Sequence, residues 1–241
     1  MFYKRFGISK KFLVFLHGWG SDGNAFSFLR EMFEDEYSLI FLDFAGFGKS
    51  VEPNQPMTIN DYVGELKYLL DQFEIESLNI VAHSFGGRVA IKFLFYYQYQ
   101  FKDVSLCLID SAGIKPRRGL IYRFKVWRYK RLKRKCVLHP KLKERLNKFG
   151  SQDYKALDGI MKQTFINVVN EDLTKYAKFI KCKTLIVWGD RDKETKPYMA
   201  RKFKKYIKNS KLVIFKRAGH FSFVEKKEEF AYVLDRFFKS L

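Results

Sequence analysis

A chain of 241 residues, 47% hydrophobic and 18% aromatic, carries enough apolar material for one well-buried domain with an insertion. Its formal charge of +20 is concentrated. Ile114 to Lys148 holds 15 Lys or Arg and one acid, Glu144, a net of +14, which leaves +6 for all other residues. No run approaches the ~18 apolar residues of a membrane span, and Met1 to Lys11 lacks the apolar core of a signal peptide. Cys107, Cys136 and Cys182 are an odd number without metal-ligand spacing; Cys107 and Cys182 lie in strand-like apolar runs and read as small core residues, and a cytoplasmic, reducing compartment is expected.

The elements alternate along the chain. Lys11 to Leu16 is a continuous apolar run, which predicts a strand buried on both faces. It ends in His17-Gly18-Trp19-Gly20-Ser21-Asp22-Gly23, and a helix is predicted from Ala25 to Phe33. Leu39 to Leu42 is the next strand, ending in Asp43-Phe44-Ala45-Gly46-Phe47-Gly48-Lys49-Ser50. Thr58 is placed to cap a helix from Ile59 to Phe73. A strand from Leu78 to Val81 then runs into Ala82-His83-Ser84-Phe85-Gly86, and a helical pattern follows from Gly87 to Tyr99. Val104 to Ile109 is a fourth strand, leading to Asp110-Ser111-Ala112-Gly113. The alternation stops there and resumes at Thr184 to Trp188, followed by Gly189-Asp190-Arg191-Asp192 and a helix over Pro197 to Ile207. A last strand, Lys211 to Phe215, leads to Ala218-Gly219-His220 and a helix over Val224 to Phe238. Strands alternating with helices predict an α/β, doubly wound, mostly parallel sheet. The boundaries place a core in residues 1–113 and 181–241 and a basic helical cap in 114–180.

Ala82 to Gly86 has the pattern of a nucleophile elbow, G-x-S-x-G with alanine in the first glycine's place. A strand turning sharply into a helix forces its corner residue into a strained conformation. The residues two positions either side must then be small. Such a turn lifts the Ser84 hydroxyl above the sheet and sets the Phe85 N–H at a helix N-terminus, facing a developing oxyanion.

Together the landmarks resemble the α/β-hydrolase superfamily over the whole chain outside the cap. His17 to Gly20 is similar to its oxyanion loop, and Asp43 to Ser50 to its D-x-P-G-x-G-x-S turn with Ala45 for proline. Trp188 to Asp192 is similar to its W-G-x-x-D acid position and Gly219-His220 to its late G-H, in the family's chain order of serine, aspartate, histidine. Within the superfamily the chain resembles small serine carboxylesterases with a helical cap, including pimeloyl-carrier-protein methyl ester esterases. It also resembles the C–C hydrolases of meta-cleavage pathways. Ser21-Asp22 departs from the latter's H-G-x-G-P-G loop and favours ester cleavage.

The resemblance implies Ser84 as nucleophile, His220 as its base and Asp192 as the acid that orients the imidazole, with oxyanion donors from the Trp19 and Phe85 N–H groups. Asp190 and Asp110 are alternative acids. His17 is expected to pin backbone, His83 to pack beneath the pocket, and Asp43 to brace the loop after it. His139, in the cap, has no evident partner. The predicted reaction is cleavage of a carboxylic ester or thioester, without cofactor or metal. The alternatives are C–C hydrolysis and a catalytically silent binding module, the latter disfavoured by the intact Ser84, Asp192 and His220. Gly46 to Ser50 echoes a phosphate loop without its spacing. Leu120 to Lys135 interleaves aromatic and basic residues. It reads as a solvated lid, or as a surface for an acidic carrier protein or an anionic membrane; charge alone points to nucleic acid, and nothing else does.

Overall fold

The computed structural model describes residues 1–117, 119–138 and 157–240. Among them seven strands form one sheet: β1 (Phe2–Phe6), β2 (Lys11–Leu16), β3 (Ser38–Asp43), β4 (Ser77–His83), β5 (Asp103–Ile109), β6 (Lys183–Gly189) and β7 (Ser210–Phe215). Their spatial order is β1-β3-β2-β4-β5-β6-β7. All neighbours run parallel except β1, which pairs antiparallel with β3 from Phe2 opposite Asp43 to Phe6 opposite Leu39. The short N-terminal stretch is thus a single edge strand.

The apolar runs form strands because helices cover both faces. In β2, Phe12, Val14 and Leu16 join one apolar cluster and Leu13 and Phe15 the other, all at most 2% exposed. Burying each such side chain is worth about 1.5–3 kcal/mol. The first cluster packs under α2 (Ile59–Leu70), α3 (Phe85–Tyr97) and α7 (Pro197–Tyr206), and the second under α1 (Arg30–Phe33) and α9 (Lys227–Phe238). Polar residues inside the sheet are paired: the Ser105 hydroxyl donates to Asn79 Oδ1 at 2.6 Å, and Asn79 Nδ2 donates to the Phe12 carbonyl at 3.1 Å.

Three local expectations are corrected. The helix predicted over 25–33 is a 3₁₀ turn at Gly23–Leu29 followed by the short α1. Asp22 accepts from the Asn24 N–H, and Phe26 and Leu29 are buried three residues apart, the spacing a 3₁₀ turn aligns. The helix predicted over 224–238 breaks at Lys226 into α8 (Ser222–Glu225) and α9. Phe223 in α8 stacks on Phe26 while Phe230 and Leu234 of α9 continue along the sheet, so the two pieces have separate anchors. Cys107 is fully buried in β5, but Cys182 lies just before β6 and is half-buried.

Between β5 and β6 the described chain forms α4 (Leu120–Leu138), α5 (Gly159–Val169) and α6 (Thr174–Ala177). His139 lies outside the described residues. The later part of the segment is tied down. Leu173 N–H donates to the Gly113 carbonyl at 2.8 Å, and Lys92 on α3 pairs with Glu171 at 2.6 Å. Leu173, Ala177 and Ile180 are buried in the same cluster as α3. In α5, the Thr164 hydroxyl accepts from the Met57 N–H at 3.0 Å and Asn167 donates to the Met57 carbonyl at 3.2 Å.

Candidate active site

The C-terminal ends of the parallel strands converge on one rim, where ligands bind in open α/β sheets. Ser84 follows β4 and precedes α3. Its φ of 46° and ψ of −107° put a side-chain-bearing residue in a strained region, held by its N–H on the Ile109 carbonyl and by its own carbonyl on the Gly87 and Ala112 N–H groups. The tight corner explains the small neighbours. A Cβ on Gly86 would lie 2.2 Å from the Leu16 carbonyl oxygen, and that backbone cannot move without shifting β2.

His220 follows β7 and Asp192 follows β6. Close approach of these two loops needs Gly189, where a Cβ would meet the Gly219 carbonyl oxygen at 2.2 Å. The result is a chain of hydrogen bonds: Ser84 Oγ lies 2.9 Å from His220 Nε2, and His220 Nδ1 lies 2.9 Å from Asp192 Oδ2. Asp192 is buried and accepts from the Glu194 N–H, the Thr195 N–H and the Thr195 hydroxyl, at 2.8, 3.0 and 2.6 Å. Burial pushes its pKa up, but the hydrogen bond and charge of His220 and the Thr195 donor outweigh that and hold it below the ordinary carboxylate value. The His220 pKa answers the opposite way. Burial lowers it, but the bond to Asp192 and the charges of Asp192, Glu194 and Asp110 raise it above the ordinary histidine value. An imidazole so placed can take a proton from Ser84 at Nε2 while Asp192 fixes the proton on Nδ1.

The other two candidate acids stand elsewhere. Asp190 is exposed at the strand end. Asp110, at the end of β5 with φ 43°, accepts from the Gly189 N–H at 2.8 Å, the Ser222 N–H at 3.1 Å and the Ser222 hydroxyl at 2.5 Å. Burial pushes its pKa up to about 7, against the pull of those donors. Asp110 therefore ties the end of β6 to the turn just beyond His220, and it has no hydrogen bond to the imidazole among the described residues.

Trp19 and Phe85 stand side by side, ring centroids 5.4 Å apart, and neither backbone N–H is donated to a partner among the described residues. The Phe85 N–H belongs to the first turn of α3, where such groups point free of the helix. The Trp19 ring also packs edge-on against Phe47 at 4.8 Å and Phe165 of α5 at 5.0 Å, so aromatic rings wall this end of the rim. His17 pins backbone at both nitrogens, with the Gly18 carbonyl 2.7 Å from Nδ1 and the Phe44 N–H donating to Nε2 at 3.0 Å. Asp43 accepts from the Gly23 and Lys49 N–H groups, each at 2.8 Å, and so braces the loops on both sides of it.

Several contributors have partners that no motif announced. His83 donates from Nε2 to the His220 carbonyl at 2.8 Å, and burial pushes its pKa down to about 3, so it is a neutral prop beneath the His220 loop. Glu225 of α8 accepts from the Gly219 N–H at 3.0 Å. Thr195 links Asp192 to the Asp110 carbonyl. The signal for Thr195 was present: an aspartate with N–H groups two and three residues on is a side-chain-capped turn. Glu194, with an exposed side chain, reaches His220 Nε2 at 3.3 Å from the side opposite Asp192's grip on the ring.

Comparison with known proteins shows the family to which the chain belongs. The chain is 25% identical over 256 residues to the AB hydrolase superfamily protein YisY of Bacillus subtilis, covering 95% of this chain and 91% of YisY. It is 28% identical over 242 residues to Lipase 1 of Psychrobacter immobilis, covering 91% of this chain and 74% of the lipase. Among solved structures, the esterase of Exiguobacterium antarcticum superposes with a TM-score of 0.74 at 23% identity, covering 99% of this chain and 95% of the esterase, a likeness of fold. The alpha/beta hydrolase family model matches residues 13–231, from β2 to α9, and the chain belongs to that family.

Proposed function

We propose that the protein is a serine hydrolase that cleaves a carboxylic ester or thioester through an acyl-enzyme on Ser84. The observation that carries this reading is the pair of 2.9 Å contacts joining Ser84 Oγ, His220 and Asp192 on a strained corner. As Ser84 Oγ attacks the substrate carbonyl, His220 Nε2 takes its proton and Asp192 stabilises the imidazolium. The oxyanion that forms faces the Phe85 and Trp19 N–H groups. One such donor contributes about 2.7–4 kcal/mol in a comparable enzyme. Collapse expels the alcohol or thiol, which receives the proton from His220. Water, deprotonated by His220, then frees the acid and restores Ser84.

The aromatic wall of Trp19, Phe47 and Phe165 supports an apolar acyl group. In this reading residues 114–180 are a cap, with α5 resting on Trp19 and the Met57 backbone. The cytoplasm is the proposed compartment, in keeping with three free cysteines. The test is labelling by a fluorophosphonate probe together with a screen of p-nitrophenyl esters from two to twelve carbons. Labelling at Ser84 and turnover that both vanish in Ser84→Ala support the reading. A wild-type protein that neither labels nor turns over any ester refutes it and leaves a binding module.

A further inference from the structure

We infer that the outward face of α4 is a docking surface for an anionic lipid bilayer. This goes beyond the hydrolase reading and does not depend on it. From Leu120 to Leu138 the helix carries eight Lys or Arg and no acid. At 100° per residue, Phe124, Trp127, Arg128, Arg131, Arg134 and Lys135 fall within an arc of about 120°. Phe124 and Trp127 are 57% and 52% exposed, large apolar rings left in water among cations. All four basic residues of the arc are exposed. Outside this arc the apolar positions are more sheltered, with Cys136 buried and Val126, Tyr129 and Leu132 half-buried, while Lys130 and Lys133 between them are exposed. The helix therefore turns an aromatic-basic face to solvent.

The chemistry of that face selects among anionic partners. A ring of arginines attracts any of them. Two adjacent exposed aromatic rings add an apolar requirement that simple charge does not meet. Phe124 stacks on Trp127 with centroids 5.7 Å apart and planes at 22°, and the Arg131 guanidinium lies over the Trp127 ring at 5.4 Å. Ring face is thus already in use within the helix, which leaves little of it for a stacking nucleobase. A headgroup layer meets both requirements at once. Trp settles at the membrane interface, its neighbour Phe reaches the acyl boundary, and the arginines and lysine meet lipid phosphates. Attachment would be peripheral: no helix among the described residues is long and apolar enough to cross a membrane.

The test is co-sedimentation of the full chain with vesicles of phosphatidylglycerol and phosphatidylcholine, and with phosphatidylcholine alone, at low and physiological salt. Trp127 emission is followed alongside; of the other two tryptophans, Trp188 is fully buried and Trp19 is packed among rings. The proposal expects binding to anionic vesicles that weakens with salt, with a blue shift of Trp127 emission in the wild type and with co-sedimentation that falls in Trp127→Ser/Phe124→Ser. Reversing Arg128, Arg131 and Arg134 to glutamate should cut partitioning by about a hundredfold or more. Unchanged turnover of a small neutral ester, or an unchanged circular dichroism spectrum, shows that each variant is folded. No binding to anionic vesicles at low salt overturns the proposal. So does binding without a blue shift, or equal, aromatic-independent binding to a single-stranded oligonucleotide, which would make α4 a polyanion site. Saturable binding to an acidic acyl-carrier protein without vesicle binding would overturn it in favour of a protein partner.

Discussion

The strand-end rim and helix α4 hold charge in opposite ways. At the rim each buried carboxylate is surrounded by donors: Asp192 takes three from residues 194 and 195, and Asp110 takes three from Gly189 and Ser222. On α4 Arg128, Lys130, Arg131, Lys133, Arg134 and Lys135 stand exposed in a helix without a single acid. The first arrangement fixes atoms to within hydrogen-bond distances and suits chemistry, where geometry decides the rate. The second makes a field, which tolerates loose geometry and fades with ionic strength as the Debye length falls from ~30 Å at 0.01 M to ~8 Å at 0.15 M. Substitutions at the rim should therefore act steeply and one residue at a time, and those on α4 gradually and by summed charge.

The sharpest break is Ser84→Ala. Alanine fits the cramped corner, so the fold should survive, while ester turnover should fall by a factor on the order of 10⁶, as for a triad serine in a protease. Retention of more than roughly a hundredth of the wild-type rate would move the nucleophile elsewhere. Next comes Asp192→Asn. The amide cannot hold His220 in the right tautomer, and a loss of ~10⁴ is expected by analogy with a comparable triad. Asp190→Asn, on the exposed side of the turn, should change the rate little. Steady-state rates of the two variants on one ester decide between them, and a larger loss at Asp190 would reassign the acid.

Asp110→Asn separates the rim's two buried carboxylates. An amide keeps one acceptor but turns an NH₂ group toward donors from Ser222 or Gly189. Stability should drop by about 1–3 kcal/mol, the cost of leaving buried polar groups unpaired. The sign with pH also follows. Because burial raises the folded pKa to about 7 from an ordinary 3.8, this aspartate's contribution is fully present below pH 4 and is lost as pH rises through 7. Urea unfolding between pH 4 and 8 should show a wild-type slope that Asp110→Asn flattens. Identical slopes in both proteins would mean that Asp110 does not titrate there.

Much of this was legible in the sequence, for identifiable reasons. Strands buried on both faces leave uninterrupted apolar runs, and the half-exposed edge strand β7 keeps a shorter one, so six of the seven strands appear within a residue or two of their predicted limits. Ser84 was a candidate from the elbow pattern, and Asp192 and His220 from the resemblance of the turns after β6 and β7 to the family's; the structure brings the three together at strand ends whose tight turns hold small residues such as Gly86 and Gly189. What was hidden depends on loops meeting in space. His83 under the His220 carbonyl, Glu225 on Gly219 and Glu194 at Nε2 are pairings across up to 137 residues or between adjacent turns, and no periodicity records them. The 3₁₀ turn after Gly23 and the break at Lys226 were missed because apolar spacing alone does not separate a continuous helix from two short pieces with different anchors.

Glu194 offers the finest test, because it joins the two kinds of charge: an exposed carboxylate touching a buried imidazole. It lies 3.3 Å from the same His220 nitrogen that faces Ser84. Nε2 cannot serve both. When the imidazole is neutral with its proton on Nδ1, the Nε2 lone pair accepts from the Ser84 hydroxyl and repels the carboxylate. When it is protonated, Nε2–H can turn to Glu194. Glu194 therefore favours the inactive imidazolium and helps hold the His220 pKa up, after burial and Asp192 have acted. Activity requires the neutral ring and is lost as pH falls through that pKa. Glu194→Gln should then move the acid limb of the kcat/KM profile to lower pH, with the plateau rate unchanged. The shift should be small, since the side chain is 64% exposed and exposed pairs are screened. In wild type the same limb should move down on adding salt, and in Glu194→Gln it should move less. Superimposable profiles for the two proteins at low salt would show that Asp192 and burial alone set the titration of His220.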